Sequence, residues 1–290
     1  MTDQPTSPDA TTAVTGATGR LGGRVARRLA AAGVPQRLVV RDPARAPELP
    51  GASAVPGDYA DRAAVRAALA GVDRVLMVSA PETADRVDQH RSFVDAAAEA
   101  GVRHLVYISF YAAAPDATFT LARDHHATEE HIRASGLAHT FLRDNMYADL
   151  MPSLAGDDGV IRGPAGDGRV AAVALDDIAD AATAVLLDAE RHAGATYELT
   201  GPEALTLDRV AEVLTEVTGR ATTYHRETVE EAYRSRAPYD APDWLLDAWV
   251  STYTAIANGE LAGVTDHVER LTGHPATPLA DVVRAQRATG

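Results

Sequence analysis

The chain reads as an α/β protein: a doubly wound parallel sheet with a small, mostly helical C-terminal cap. Three observations predict this. Apolar runs of strand length alternate with helix-length segments from Thr12 to Leu142, the first run leads straight into a glycine turn, and the alternation stops near Met146.

The first strand ends in Val14-Thr15-Gly16-Ala17-Thr18-Gly19-Arg20-Leu21-Gly22-Gly23, the strand, turn and helix start of a Rossmann dinucleotide fold. Gly16 turns the chain off the strand, Gly19 lets backbone N–H groups near a pyrophosphate, and Gly22 lets the helix pack closely on the sheet. Leu21, Val25 and Leu29 give that helix its apolar stripe, and Gly33 ends it. The second strand is Arg37 to Arg41, stopped by Asp42-Pro43, and the third is Ser53 to Pro56. Asp61 caps a helix that runs to about Gly71. Arg74 to Ser79 is apolar within, as a strand covered on both faces should be. A helix from Thr83 to Ala100, a strand from His104 to Ser109, a helix ending near Gly136 and a strand at His139 to Leu142 follow.

Beyond Met146 the rhythm changes. Gly156 to Gly168 reads as a glycine- and aspartate-rich loop, Asp176 to Asp188 as a helix, and Thr196 to Thr200 as a last strand returning to the sheet. The rest is mostly helical, clearest at Asp208 to Thr218, Thr228 to Arg236, Pro242 to Asn258 and Thr265 to Gly273. The expected organisation is a flexible segment at 1–10, a nucleotide-binding domain over 11–150 completed by about 176–200, and a substrate-side cap made of 151–175 and 201–290. Such a cap would lie over the strand C-termini, where open α/β sheets bind ligands.

Composition removes several chemistries. There are no cysteines, hence no disulfide, thiolate nucleophile or thiolate metal site. All 27 basic residues counted as Lys+Arg are arginine. Without lysine there is no Walker-type phosphate loop, no Schiff base, and no Tyr-x-x-x-Lys pair of the ordinary short-chain dehydrogenases. A net charge of −14 argues against a nucleic-acid partner. No run of about 18 apolar residues suggests a membrane span. The polar start, with Pro5 and Pro8, lacks a signal peptide's basic and apolar regions, so the cytoplasm is the expected location.

The cofactor expected at the turn is NADP(H), with NAD(H) as the alternative. Dinucleotide folds that prefer NAD place a carboxylate at the end of strand two, and here Arg41 stands there, suited to a 2′-phosphate, with Arg20 as a second contact. Asp42 could still meet a ribose. Asp58 is placed to accept from the adenine amino group or merely to start the turn before Asp61. Ser79, Ala80 and Pro81 end strand four on the ribose and nicotinamide path, where small side chains admit a ligand. Ser109 ends strand five at the catalytic edge, and Phe110 and Tyr111 either stack on a planar ring or belong to the core. His125 and His126 stand four residues before Glu129 and Glu130, a spacing that fits surface pairs. Too few ligands gather there for a metal, and none is expected. A histidine at the nicotinamide site could orient the ribose or donate a proton.

Several segments resemble the atypical short-chain dehydrogenase/reductase family that includes NmrA-like proteins and type-2 NAD(P)H:quinone oxidoreductases. They are Val14 to Gly22, Val40-Arg41-Asp42-Pro43, Gly57-Asp58-Tyr59, Tyr107-Ile108-Ser109 and Ser135 to Arg143. Asp177-Ile178-Ala179, Tyr197 to Pro202 and Val264 to Glu269 extend the likeness over nearly the whole chain. The resemblance implies an NADP-binding domain whose cofactor contacts include Gly16, Thr18, Gly19, Arg20, Leu21, Gly22, Tyr59 and His125. By spacing, His125 looks like the counterpart of a lysine found in related reductases. The segment Asn145-Met146-Tyr147 looks like the one lining the substrate side of nicotinamide, with Tyr111 nearby.

The expected activity is hydride transfer from NADPH to a planar, electron-poor small molecule such as a quinone. The hydroquinone anion is stable enough to collect its proton from His125, Tyr147 or water, whereas an unactivated ketone needs a strong, positioned acid. Two other readings stand beside it: a non-catalytic redox-sensing regulator that binds NAD(P), and a tailoring reductase of secondary metabolism. A homodimer is left open.

Overall fold

The computed structural model describes residues 12–289, so the segment expected to be flexible at 1–10 lies outside the described residues. The first half follows the expected alternation: β1 (Thr12–Thr15), α1 (Arg20–Ala31), β2 (Gln36–Val40), β3 (Ala52–Pro56), α2 (Arg62–Ala68) and β4 (Arg74–Met77). Then come α3 (Arg86–Glu99), β5 (His104–Phe110), α4 (Thr120–Ala134) and β6 (Ala138–Asp144). After β7 (Val160–Gly163) and β8 (Arg169–Val170), α5 (Leu175–Leu187) leads to β9 (Thr196–Leu199). These strands, β7 and β8 excepted, form a seven-stranded sheet in the order β3-β2-β1-β4-β5-β6-β9. Every pairing in it is parallel.

Residue alternation along the strands builds a core on each face. Val14, Leu38, Leu76 and Val106 point to the side of α1 and α5, where they meet Val25, Leu29, Ile178 and Val185. Their neighbours Ala13, Val39, Val75 and Leu105 point the other way, onto Val65, Phe93 and Ile132 from α2, α3 and α4. Burial on both faces is why these strands read as unbroken apolar runs. The strand order reverses beside β1, between β2 and β4, which opens a crevice at their C-terminal ends.

The C-terminal part holds β10 (Leu205–Thr206), α6 (Leu207–Thr218), β11 (Thr223–Arg226), α7 (Val229–Arg236), α8 (Asp243–Ala257), α9 (His267–Thr272) and α10 (Leu279–Thr289). Two features differ from the sequence reading. The loop expected at Gly156 to Gly168 contains β7, which pairs in parallel with β11, Val160 opposite Thr223. Four residues per strand are too few to carry a local signal; the pairing comes from distant chain. The sequence reading also stopped at Gly273, yet α10 follows, with Leu279, Val282 and Val283 buried against the α6 cluster of Val210 and Leu214. Asp177 of α5 anchors its approach by accepting from Thr277 N (2.7 Å) and Thr277 Oγ1 (2.8 Å). Among the described residues no helix is long and apolar enough to cross a membrane.

Candidate active site

Two cavities open at the C-terminal edge of the sheet. The first, about 550 Å³, lies over the glycine turn and the ends of β2, β3 and β4. The second, about 380 Å³, lies over the ends of β5 and β6 under the C-terminal part. Ser79, Ala80 and Pro81 line both, so the cavities meet along one short wall.

The first cavity fits a pyrophosphate. Gly16 has φ +64, a conformation that favours glycine, and its carbonyl accepts from Gly19 N at 2.8 Å, which tightens the turn. A Cβ on Gly22 would stand 2.4 Å from Gly16 O and 2.5 Å from Thr15 O, so the start of α1 is pressed against the turn backbone. No side chain caps that helix at Gly19, and its first turn holds no acid, so its N–H groups face the cavity side free to take an anion. Thr18, Arg20 and Leu21 line the same cavity.

Arg41 also lines it, at the end of β2, and makes no hydrogen bond or ion pair among the described residues. Asp42, the residue that could have met a ribose, instead accepts from Ala44 N (3.0 Å) as the cap of the short helix Pro43–Arg45. Asp58 both lines the cavity and bends its turn, accepting from Ala60 N at 3.0 Å. Tyr59 lines it with its ring, while its hydroxyl donates to Val78 O (2.7 Å) and meets Thr15 Oγ1 (2.6 Å). Burial raises that phenol above its ordinary value. It serves as a latch between the ends of β1 and β4.

The shared wall is held from beneath by Arg86 and His90, which the sequence reading did not single out, and by His125, which it did. Arg86, at the start of α3 and 5% exposed, donates from Nε to Ala80 O (3.1 Å) and from Nη2 to His125 Nε2 (3.1 Å). A guanidinium only donates, so His125 accepts at Nε2, and its Nδ1–H is left for Tyr107 Oη at 2.9 Å. His90 accepts from Ala80 N at Nε2 (2.8 Å), which leaves its Nδ1–H for Thr128 Oγ1 (2.8 Å). Both rings are therefore neutral. Burial, then the nearby Arg86 charge, pushes His90 down to about 3 and His125 well below its ordinary value.

The second cavity is lined chiefly by Phe110, Phe119, Leu121, Met146 and Met151, with Arg86, His125, Asp144, Asn145 and Tyr147 among its polar members. The Tyr147 hydroxyl donates to Asp144 Oδ2 at 3.1 Å. Burial raises both groups, Asp144 well above the usual carboxylate range. Asn145 spends its amide on Leu261 O (3.0 Å) and Met146 N (2.8 Å), so it shapes the wall.

Three sequence expectations land elsewhere. Ser109, expected at the cofactor, is fully buried and donates to Glu129 Oε1 (2.7 Å), lining neither cavity. Tyr111 lines neither: its hydroxyl packs on Gly263, where a Cβ would stand 2.0 Å from it. Phe110, expected at the cofactor, lines the second cavity. The surface pairing of His125 with Glu129 also gives way. His125 bonds Arg86 and Tyr107, while buried Glu129 takes Arg143 at 2.8 and 2.6 Å. His125 thus turns to partners across the interface, while Glu129 keeps Arg133 at i+4 (3.1 Å) beside Arg143.

Sheet order, glycine turn and crevice together define a Rossmann-type α/β protein with a second cavity beside its nucleotide groove. The chain belongs to the NmrA-like family, whose model matches residues 8–245. It is 35% identical over 278 residues to quinone oxidoreductase 2 of Escherichia coli, covering 93% of this chain and 96% of that protein. The crystal structure of an Escherichia coli NADPH-dependent quinone oxidoreductase complexed with NADPH superimposes with TM-score 0.86 at 34% identity, covering 95% and 99%. The Citrobacter sp. triphenylmethane reductase complexed with NADP(H) does so at 0.84 and 33%, covering 94% and 99%.

Proposed function

We propose that this protein is an NADPH-dependent oxidoreductase that reduces planar, electron-poor small molecules of the quinone type. The observation that carries this reading is the shared wall: a nucleotide groove and an aromatic, methionine-lined cavity touch along Ser79, Ala80 and Pro81. Bound in the groove, the reduced nicotinamide supplies a hydride. Everything else is the work of the chain. The glycine turn and the open start of α1 hold the pyrophosphate, and the unpartnered Arg41 with Arg20 selects the 2′-phosphate over a bare ribose. Small side chains on the shared wall let the two ligands approach closely, and Phe110, Phe119 and Met146 hold a flat acceptor against that wall.

Arg86 fixes the wall through Ala80 and has a buried Nη1 without a protein partner, so its charge is available to an acceptor oxygen as electrons arrive. His125 positions Arg86, since both its nitrogens are engaged, and Tyr147 stands in the acceptor cavity. We assign residues 12–150 and 176–200 to the nucleotide-binding unit, and 151–175 and 201–290 to the cap that closes the acceptor side.

Mixing purified protein with NADPH and a panel of quinones, and following the absorbance of the reduced nicotinamide, tests the reading. Oxidation above the uncatalysed rate, faster with NADPH than with NADH, is expected. Tight NADP⁺ binding with no oxidation of NADPH by any quinone would overturn it in favour of a sensor.

A further inference from the structure

We propose that Asp144 is the proton donor to the reduced acceptor, and that the acceptors accordingly extend from quinones to conjugated carbonyl compounds. The inference rests on the function proposed above. Asp144 closes β6 at the C-terminal edge of the sheet, is 3% exposed, and lines the acceptor cavity. Its backbone is fixed, with Asp144 O accepting from Tyr111 N at 2.8 Å.

The surroundings keep its carboxyl neutral. The Tyr147 hydroxyl and the Arg86 guanidinium act on it, His125 lines the same cavity, and among the described residues none forms an ion pair with it. Glu198, on neighbouring β9, is taken by Arg143 at 3.8 Å. A buried carboxylate without a paired cation is costly, so the group holds its proton at neutral pH. The Tyr147 hydroxyl donates to Oδ2, which leaves Oδ1 to carry that proton.

Other candidates are spent. His125 has both nitrogens engaged, the Asn145 amide is used by backbone, and Glu82, which also lines the cavity, is exposed to solvent.

The step balances. The hydride from the reduced nicotinamide adds with its electron pair to the β-carbon of a conjugated carbonyl, the C=C π pair shifts, and the negative charge reaches the carbonyl oxygen. The Asp144 O–H bond breaks as a new O–H bond forms there, giving an enol and leaving a carboxylate. A proton from solvent restores Asp144 once product leaves. A quinone takes the hydride and the proton in the same way, and the carbon-bound hydrogen then leaves to solvent as a proton while the second oxygen gains one, giving hydroquinone. Its oxygen is less basic and has less need of the acid. A triarylmethyl cation takes hydride at carbon and needs no proton.

The test compares Asp144→Asn, which keeps shape but has no acidic proton, with the wild type on these three acceptors. Loss of kcat of about 100-fold is expected on an unsaturated lactone, about tenfold on a quinone and under about threefold on a triarylmethane dye. Wild-type kcat on the lactone should fall at alkaline pH, where Asp144 gives up its proton, and Asp144→Asn should lack that fall. Equal losses on all three acceptors, wild-type rates throughout, or a lactone the wild type leaves unreduced would overturn the proposal. A readout free of turnover is the infrared carbonyl band of a buried carboxylic acid at neutral pH, present in the wild type and missing in Asp144→Asn. Its absence from the wild type also overturns the proposal. If the band is present while no acceptor is reduced, the proposed function fails instead, and Asp144 as a donor with it.

Discussion

Arg41 and Asp42 stand side by side at the end of β2, and their hydrogen bonds separate their tasks. Asp42 is committed to the cap of Pro43–Arg45, while Arg41 is free over the groove. Replacing Arg41 by Ala should weaken NADPH binding about 10- to 100-fold, the worth of one charge-assisted contact, with little effect on NADH; fluorescence titration of both measures it. His90 gives a pH prediction. Its value is pushed down to about 3 in the fold from 6.5, so its stabilising contribution is complete above pH 6.5 and declines as pH falls toward 3. Between pH 7.5 and pH 5 the stability advantage of the wild type over His90→Gln should therefore shrink by about 2 kcal/mol in denaturant titrations. The groove residues Gly16 to Gly22 were legible because the turn is local and each glycine answers a local demand. Arg86 and Asp144 were not: an arginine opening a helix and an aspartate closing a strand both look solvated until partners such as Ala80, His125, Tyr111 and Tyr147, none of them adjacent in sequence, gather round them. Phe110 was separable from Ser109 and Tyr111 only by the strand's alternation, which sends neighbours to opposite faces, and sequence alone does not say which face meets the ligand.

At the level of elements, the join between β1 and α1 tolerates little. In Gly22→Ala the new methyl would press on Gly16 O and Thr15 O, both backbone, so relief requires moving the turn itself. Destabilisation of about 1–3 kcal/mol by denaturation is expected, with loss of NADP⁺ binding by titration, because the displaced segment is the phosphate cradle. The strands of the seven-stranded sheet were legible from apolar runs of the right length, including β9 after a long excursion. The β7–β11 pair escaped because each strand is short and exists through a partner far along the chain, Val160 with Thr223; α10 carries a helical apolar set, Leu279, Val282 and Val283, that the sequence reading passed over.

Considered as a whole, the molecule is a two-faced sheet whose one rim carries both cavities, with the C-terminal helices closing only the acceptor side. The nucleotide groove is built within the first half of the chain, by the ends of the first strands, α1 and Gln89 of α3, and ligand there should stabilise the entire chain by linkage. At about 100 times its dissociation constant, NADP⁺ adds about 2.7 kcal/mol, which for a chain of this size is roughly 5 °C in Tm by thermal denaturation. The common wall at Ser79, Ala80 and Pro81 has a kinetic meaning. Donor and acceptor sites are neighbours across three residues, so the proposed hydride transfer passes directly between two ligands that must be bound at once. Initial-rate plots at several fixed quinone concentrations should intersect, the signature of a ternary complex, rather than run parallel.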